Sequence, residues 1–305
     1  MSRYVSPLRY PGGKAKMAPY LAEAFADHLG PMDVEIWMEP FAGGAGAGLT
    51  ALLKHQVPEL WLVEYHPALA AFWQQVVEGP EPLARAVETT TPSLALFDRC
   101  RQTVADALAG ESVDQFEAAY AAFMVNRLSR SGILSPTAGP IGGRGQTGRW
   151  KIGDRFNPTA LAERLRLIGG LGSRIKVTHG DGIERIAELS DSGVEDEVLL
   201  FVDPPYVVDG DRLYAQGMSG SDHALLAQAL AGCPSPWALT YDAHPEVARL
   251  YAGHRTMEFE IPHTANKRAI DTEYLVLSDN LAVPDANPLG RGDHWWVGSR
   301  DAAVA

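Results

Sequence analysis

The chain has 305 residues, 46% hydrophobic and 21% charged, with a formal net charge of −12. That balance is ample for a globular core, and no run approaches the ~18 uninterrupted apolar residues of a membrane helix. Cys100 and Cys233 stand alone, without metal-ligand spacing, which excludes a disulfide framework or a zinc centre.

In chain order, the opening MSRYVSPLRYPGG has no apolar signal-peptide core, which predicts a cytoplasmic protein. Its last residues begin YPGGK (10–14), an aromatic, two glycines and a lysine ahead of an amphipathic helix carrying Met17, Leu21 and Phe25. VEIWMEPF (34–41) reads as a strand running into the glycine-rich turn EPFAGGAGAG (39–48), and ELWLVEY (59–65) as a second strand ending at Glu64. Residues 80–172 carry helical patterns and then a Gly-, Arg- and Pro-rich stretch, with no parallel strand. They predict an insertion between the neighbourhoods of the third and fourth strands, forming a second, mainly helical lobe. Within it, NPTALAERLRLIGG has Asn157 as N-cap, Pro158 at the first helical position and Gly169 at the end, with Leu161, Leu165 and Ile168 on one face.

RIKVTHGD (174–181), EVLLFVDPP (197–205) and PWALTYD (236–242) read as further strands. SDHALLAQALAGC between the last two is a helix capped by Ser221 or Asp222 and ended by Gly232. TMEFEIPHT (256–264) and EYLVLS (273–278) look like a closing pair, and VPDANPLGRGDHWWVGSRDAAVA an irregular tail docked by Trp295 and Trp296. Strands alternating with helices predict an α/β fold with a mostly parallel, doubly wound sheet. Residues 1–79 and 173–280 would form the core domain, 80–172 the inserted lobe and 281–305 the tail.

Ligands of open α/β sheets sit beyond the carboxyl ends of the strands, where four motifs fall. The glycine turn permits close backbone approach, yet by itself is nearly as well read as a tight turn packed on a helix. Glu64, about twenty residues past that turn at the tip of the next strand, stands where a ribose hydroxyl pair is commonly held. YPGGK alone divides evenly between a ligand loop and a helix start with a surface lysine. The fourth motif, DPPY (203–206), ends a doubly buried strand with a carboxylate, two prolines that cannot donate and an aromatic ring. Asp203 and the Pro204 carbonyl offer paired acceptors for a primary amine on a planar base, and Tyr206 offers a face on which the base can stack. A plain strand-ending turn does not account for both prolines and the ring.

The charge is unevenly placed. From Arg127 to Arg155, six basic residues (Arg127, Arg130, Arg144, Arg149, Lys151 and Arg155) face one acid, Asp154, a net of +5 in an acidic protein. A solvated loop is the bland reading; a local sign inversion beside glycines favours an anion-binding surface.

YPGGK, EPFAGGAGAG and DPPY, in this order with an insertion before the last, resemble the Dam-type (alpha-group) DNA adenine methyltransferases over roughly residues 6–280. FMVNRLSRSGIL (123–134) is similar to the family's asparagine-arginine segment near DNA, and THGD (178–181) to a segment that contacts the cofactor's adenine. The resemblance implies a Rossmann-like class I methyltransferase sheet of seven mostly parallel strands, a target-recognition lobe and S-adenosylmethionine as cofactor. It implies that Tyr10, Gly12, Gly13, Lys14, Glu39, Pro40 and Phe41 line the cofactor pocket and that Gly43 and Gly44 approach the methionine part. Glu64 would take the ribose hydroxyls, Asp181 the cofactor adenine, and Asp203 would border the cofactor too. Asp203, Pro204, Pro205 and Tyr206 would hold a target adenine flipped from the duplex, and the six basic residues would face double-stranded DNA. Family members often carry Trp at the position of Tyr10 and Asp at that of Glu64, and AGPIGGRGQTGRWK (138–151) does not resemble the hairpin of the GATC-specific members.

Expected alongside are no metal, no membrane, a monomer or weak dimer, and a restriction endonuclease or phage-defence system as associate. The rivals are a non-catalytic DNA-binding protein on the same scaffold, a methyltransferase acting on RNA or protein amides (which typically shows Asn at position 203), and a nicotinamide-dependent dehydrogenase, which lacks its phosphate-binding fingerprint here.

Overall fold

Aliphatic runs bounded by turns form the interior strands of one sheet. In the computed structural model, residues 5–10, 14–29, 35–135, 138–189, 193–194, 197–207, 217–261 and 271–297 are described. β1 (Ile36–Glu39), β2 (Glu59–Glu64), β3 (Ile175–His179), β4 (Val198–Val202) and β5 (Trp237–Asp242) are parallel. β6 (Arg255–Ile261) and β7 (Asp271–Leu277) add antiparallel neighbours beside β5, and β8 (His294–Trp296) pairs with β6. The order is β3-β2-β1-β4-β5-β7-β6-β8. All five residues of β4, VLLFV, are buried, as helices on both faces require. Chain direction across the sheet reverses between β1 and β4, so a crevice opens beyond their carboxyl ends.

One face is covered by α1 (Ala18–Leu29), α2 (Gly46–Leu53) and α3 (Pro67–Glu78). α4 (Pro80–Thr89), α5 (Leu94–Leu108), α6 (Gln115–Leu128) and α7 (Pro158–Gly169) extend the same layer, α6 packing on α3 and α5, and α7 on α4. Phe72 of α3 stacks on Phe123 of α6 with ring centroids 5.5 Å apart. One apolar cluster runs from Leu60 in the sheet through Phe72 to Leu165 of α7. The opposite face carries α8 (Gly182–Leu189), α9 (Gly220–Ala231) and α10 (Pro245–Leu250) over a second cluster.

Several expectations need correction. The helices after α3 fall between β2 and β3, not between the third and fourth strands. The sheet has eight strands rather than seven, because HWW in the supposed irregular tail completes the edge of β6. Its indoles find acceptors there: Trp295 Nε1 donates to Glu258 Oε2 at 3.0 Å and Trp296 Nε1 to Asp285 Oδ1 at 3.0 Å. Three residues are too few to show a period in sequence, whereas an open strand edge gains directly from being paired. The N-cap of α9 is Ser219, not Ser221 or Asp222. Asp222 sits at the third helical position and accepts from Ser219 N at 2.8 Å, completing a capping box. The Asn157 cap of α7 is as expected, its Oδ1 accepting from Ala160 N at 3.1 Å.

Candidate active site beyond the first and fourth strands

At the end of β1 the chain turns on glycine. Gly43 has φ +45° and Ala45 φ 46°, both left-handed, and a Cβ would press the Tyr10 ring at 3.1 Å from Gly43 and the Tyr10 Cβ at 3.1 Å from Gly44. Gly48 lets α2 approach β2, where a Cβ would collide with Leu60. Two buried acids brace this turn. Glu39 Oε1 accepts from Gly48 N at 2.5 Å and Trp37 Nε1 at 3.2 Å, and burial pushes its carboxyl up to about 8. Glu64 Oε2 accepts from Gly43 N at 2.9 Å and Oε1 from His66 N at 2.9 Å. Burial raises Glu64 to about 7 against the pull of those N–H groups. Glu64, expected to take ribose hydroxyls, thus also holds the glycine turn through Gly43 N.

Across the crevice, β4 ends at DPPY. Asp203 Oδ1 accepts from Lys14 Nζ at 2.9 Å and from Thr240 Oγ1 at 2.7 Å; among the described residues none donates to Oδ2. Lys14 Nζ also donates to the Tyr206 hydroxyl at 2.7 Å, and that hydroxyl donates to Glu273 Oε1 at 2.6 Å. Glu273 Oε2 lies 3.6 Å from Lys14 Nζ. Burial pulls the Lys14 ammonium down, but Asp203 and Glu273 outweigh it and hold the group above its ordinary value. Burial raises Glu273, opposed by Lys14. Val207 N donates to Asp242 Oδ1 at 3.1 Å, tying the end of the motif to β5.

Both sides line one cleft of about 990 Å³, its open mouth included. It brings together Tyr10, Lys14, Glu39, Pro40, Phe41, Gly43, Gly44, Glu64, Asp203 and Pro205. Gly12 and Gly13 lie outside the described residues. Asp181 is not among the lining residues; its Oδ1 caps α8, accepting from Ile183 N at 2.7 Å. Pro204 is buried; Tyr206 is half-buried and not among the lining residues, its hydroxyl held by Lys14 and Glu273. Glycines and acids beside the half-exposed Tyr65 ring and apolar Leu69 suit a ligand with an aromatic base, hydroxyls and an amino-acid part. Among the described residues, no group of three or more His, Cys, Asp or Glu could hold a metal ion, and no helix is long and apolar enough to cross a membrane.

Sequence reasoning missed several participants. Glu273 and Thr240 look like ordinary strand residues. Ile133 and Leu134 line the cleft although they follow α6 in the inserted segment. Fully buried Asn126 holds them there: Oδ1 accepts from Arg9 N at 2.8 Å, while Nδ2 donates to Arg9 O at 2.9 Å and to Gly132 O. NRLSRSG was a signal for this segment, but not for its inward partners.

The basic segment divides. Arg127 is largely buried, donating to Arg155 O at 2.6 Å and Pro7 O at 3.4 Å, and burial lowers it to about 10. Arg144 pairs with Asp98 at 2.7 Å, and Lys151 Nζ donates to Gln146 O. Arg130, Arg149 and Arg155 are exposed, and among the described residues no hydrogen bond engages their side chains. Arg149 lies over the ring of Trp150, itself 53% exposed, at 5.2 Å.

The profile of the D12 class N6 adenine-specific DNA methyltransferase family matches residues 10–270. No curated protein matches the chain. Among solved structures, the rRNA methyltransferase AviRa from Streptomyces viridochromogenes is 17% identical, with 89% of this chain and 87% of that one covered, at a TM-score of 0.36. A protein from Listeria monocytogenes assigned as a class I S-adenosylmethionine-dependent methyltransferase is 9% identical, with 89% and 62% covered, at a TM-score of 0.35. At these TM-scores neither is a close structural match.

Proposed function

This chain belongs to the D12 class N6 adenine-specific DNA methyltransferases, and from that membership we propose what its residues do. It is an S-adenosylmethionine-dependent, adenine-specific DNA methyltransferase on an α/β class I sheet. S-adenosylmethionine supplies a methyl group already activated on a sulfonium. Tyr10, Lys14, Glu39, Pro40, Phe41, Gly43, Gly44 and Glu64 would hold it in the cleft, and Glu64, braced by two backbone N–H groups, keeps lone pairs for hydroxyls.

The target adenine leaves the duplex to reach Asp203, with stacking on Tyr206 offsetting part of the lost base stacking. Because Lys14 and Thr240 occupy Oδ1, Asp203 Oδ2 and the Pro204 carbonyl receive the amine hydrogens. These acceptors become more favourable as the nitrogen turns positive. The inserted segment 80–172 serves as the target-recognition lobe, with Arg130, Arg149 and Arg155 meeting phosphates. The setting we propose is the cytoplasm, as a monomer or weak dimer, with a restriction or phage-defence partner; co-purification from the native host tests that association.

The observation that carries the reading is that Asp203 and the glycine turn, far apart in sequence, border one cleft. Nucleoside mass spectrometry of DNA from an expressing, methylation-free host tests it. N6-methyladenine is expected, and methylcytosine without methyladenine would overturn the assignment.

A further inference from the structure

Lys14 is a difficult neighbour for this reaction. Its ammonium, with 6% of the side chain exposed, lies 2.9 Å from Asp203 Oδ1 and so offsets the charge of the carboxylate that meets the amine. An amine that accepts a methyl group becomes positive, and in a site shielded from water a nearby cation opposes that step far more than it would in solvent. A second buried carboxylate answers it. Glu273 lies 3.6 Å from Lys14 Nζ through Oε2 and accepts the Tyr206 hydroxyl at 2.6 Å through Oε1, while that hydroxyl accepts from Lys14 at 2.7 Å. Lys14, Tyr206 and Glu273 therefore close a triangle, with Asp203 attached at the lysine corner.

We propose that Glu273 is a positioning residue for methyl transfer, which fixes the Lys14 ammonium and the Tyr206 ring and, by balancing Lys14, leaves the Asp203 centre net negative. The proposal rests on the reading of Asp203 and Tyr206 as the adenine site. Glu273 itself is not among the residues lining the cleft, so it acts through its two neighbours. The charge balance separates this role from a structural one. The buried Lys14 cation against the partly exposed Asp203 anion gives a neutral centre; adding Glu273 restores a negative one where positive charge develops.

The test is a single-turnover methyl-transfer rate at saturating S-adenosylmethionine and DNA, with cofactor Kd and Tm measured for each variant. Glu273→Gln keeps the length and an acceptor for the Tyr206 hydroxyl but removes the charge. It should slow transfer about 10- to 100-fold, with cofactor Kd within about 2-fold of wild type. The double variant Lys14→Met/Glu273→Gln removes cation and anion together and should recover part of that rate, where a structural loss would compound it. Glu273→Asp keeps the charge and should stay nearer wild type than Gln. A wild-type rate in Glu273→Gln, an Asp variant as slow as Gln, or a double variant slower than the single would each overturn the proposal. Asp203→Ala and wild type run alongside. If wild type makes no N6-methyladenine, the adenine reading fails; if it does, Asp203→Ala does not and Glu273→Gln matches wild type, only this inference fails.

Discussion

Around Asp203, charged groups as far apart in sequence as Lys14 and Glu273 are buried against one another. Between Arg127 and Arg155, six basic side chains close in sequence take three different fates. In the first region the sheet delivers the ends of β4, β5 and β7 to one place, so distant residues converge. In the second, Arg127 in the last turn of α6 turns inward to donate to the Pro7 and Arg155 carbonyls, while Arg149, in the irregular stretch that follows, turns to solvent. Proximity in sequence is a poor guide to shared function when the backbone between the residues is irregular.

Four measurements sharpen this contrast. The largest effect belongs to the convergent region. Asp203→Ala should lower the methyl-transfer rate by about 1,000-fold while leaving cofactor Kd nearly unchanged. A comparable loss of cofactor affinity would make Asp203 a binding group instead. Next, Glu64→Ala should raise the cofactor Kd about 10- to 100-fold by calorimetry, because a charged acceptor is lost and the glycine turn loses its brace. Unchanged affinity would place the cofactor elsewhere in the cleft.

The basic segment supplies the third. Replacing exposed Arg149 and Arg155 by Ala should each flatten the slope of log K against log salt by about 0.9 if each meets a phosphate. Arg144→Ala should do less, since Asp98 already neutralises that charge. Arg127→Ala should lower Tm and leave the slope alone, because its guanidinium ties carbonyls together. Equal slope changes for all four would erase the distinction drawn between them.

The smallest effect concerns the acid beneath the glycine turn. Burial holds Glu39 at about 8, above its ordinary 4.5. Between those values the folded protein keeps a proton that the unfolded chain releases, so stability falls as pH rises through that window. Glu39→Gln has no such proton, and its amide oxygen can still serve Gly48 N. Its Tm should exceed wild type at pH 9, with the gap closing toward pH 5. A gap independent of pH would mean that the carboxyl does not titrate in this range.

The sequence by itself determined the strands of the parallel core and the motifs at their ends. Runs such as VLLFV, the glycines of the β1 turn and the prolines of DPPY are dictated by local chemistry: burial, left-handed φ and missing donors. It also reached Tyr10, Lys14, Glu64 and Asp203, because each stands in or beside such a motif. Only the tertiary structure decided the partners. Glu273 and Thr240 carry no local mark, and their roles exist because β5 pairs with β4 and β7 with β5. That Asp181 Oδ1 caps α8 also appears only in the fold, where the first N–H groups of the helix need acceptors. The HWW strand and the inward turn of Arg127 depended likewise on what the rest of the chain left unsatisfied: an open sheet edge in one case, free carbonyls in the other. Hydrogen-bond demand of that kind is set by distant backbone, and no window of neighbouring residues contains it.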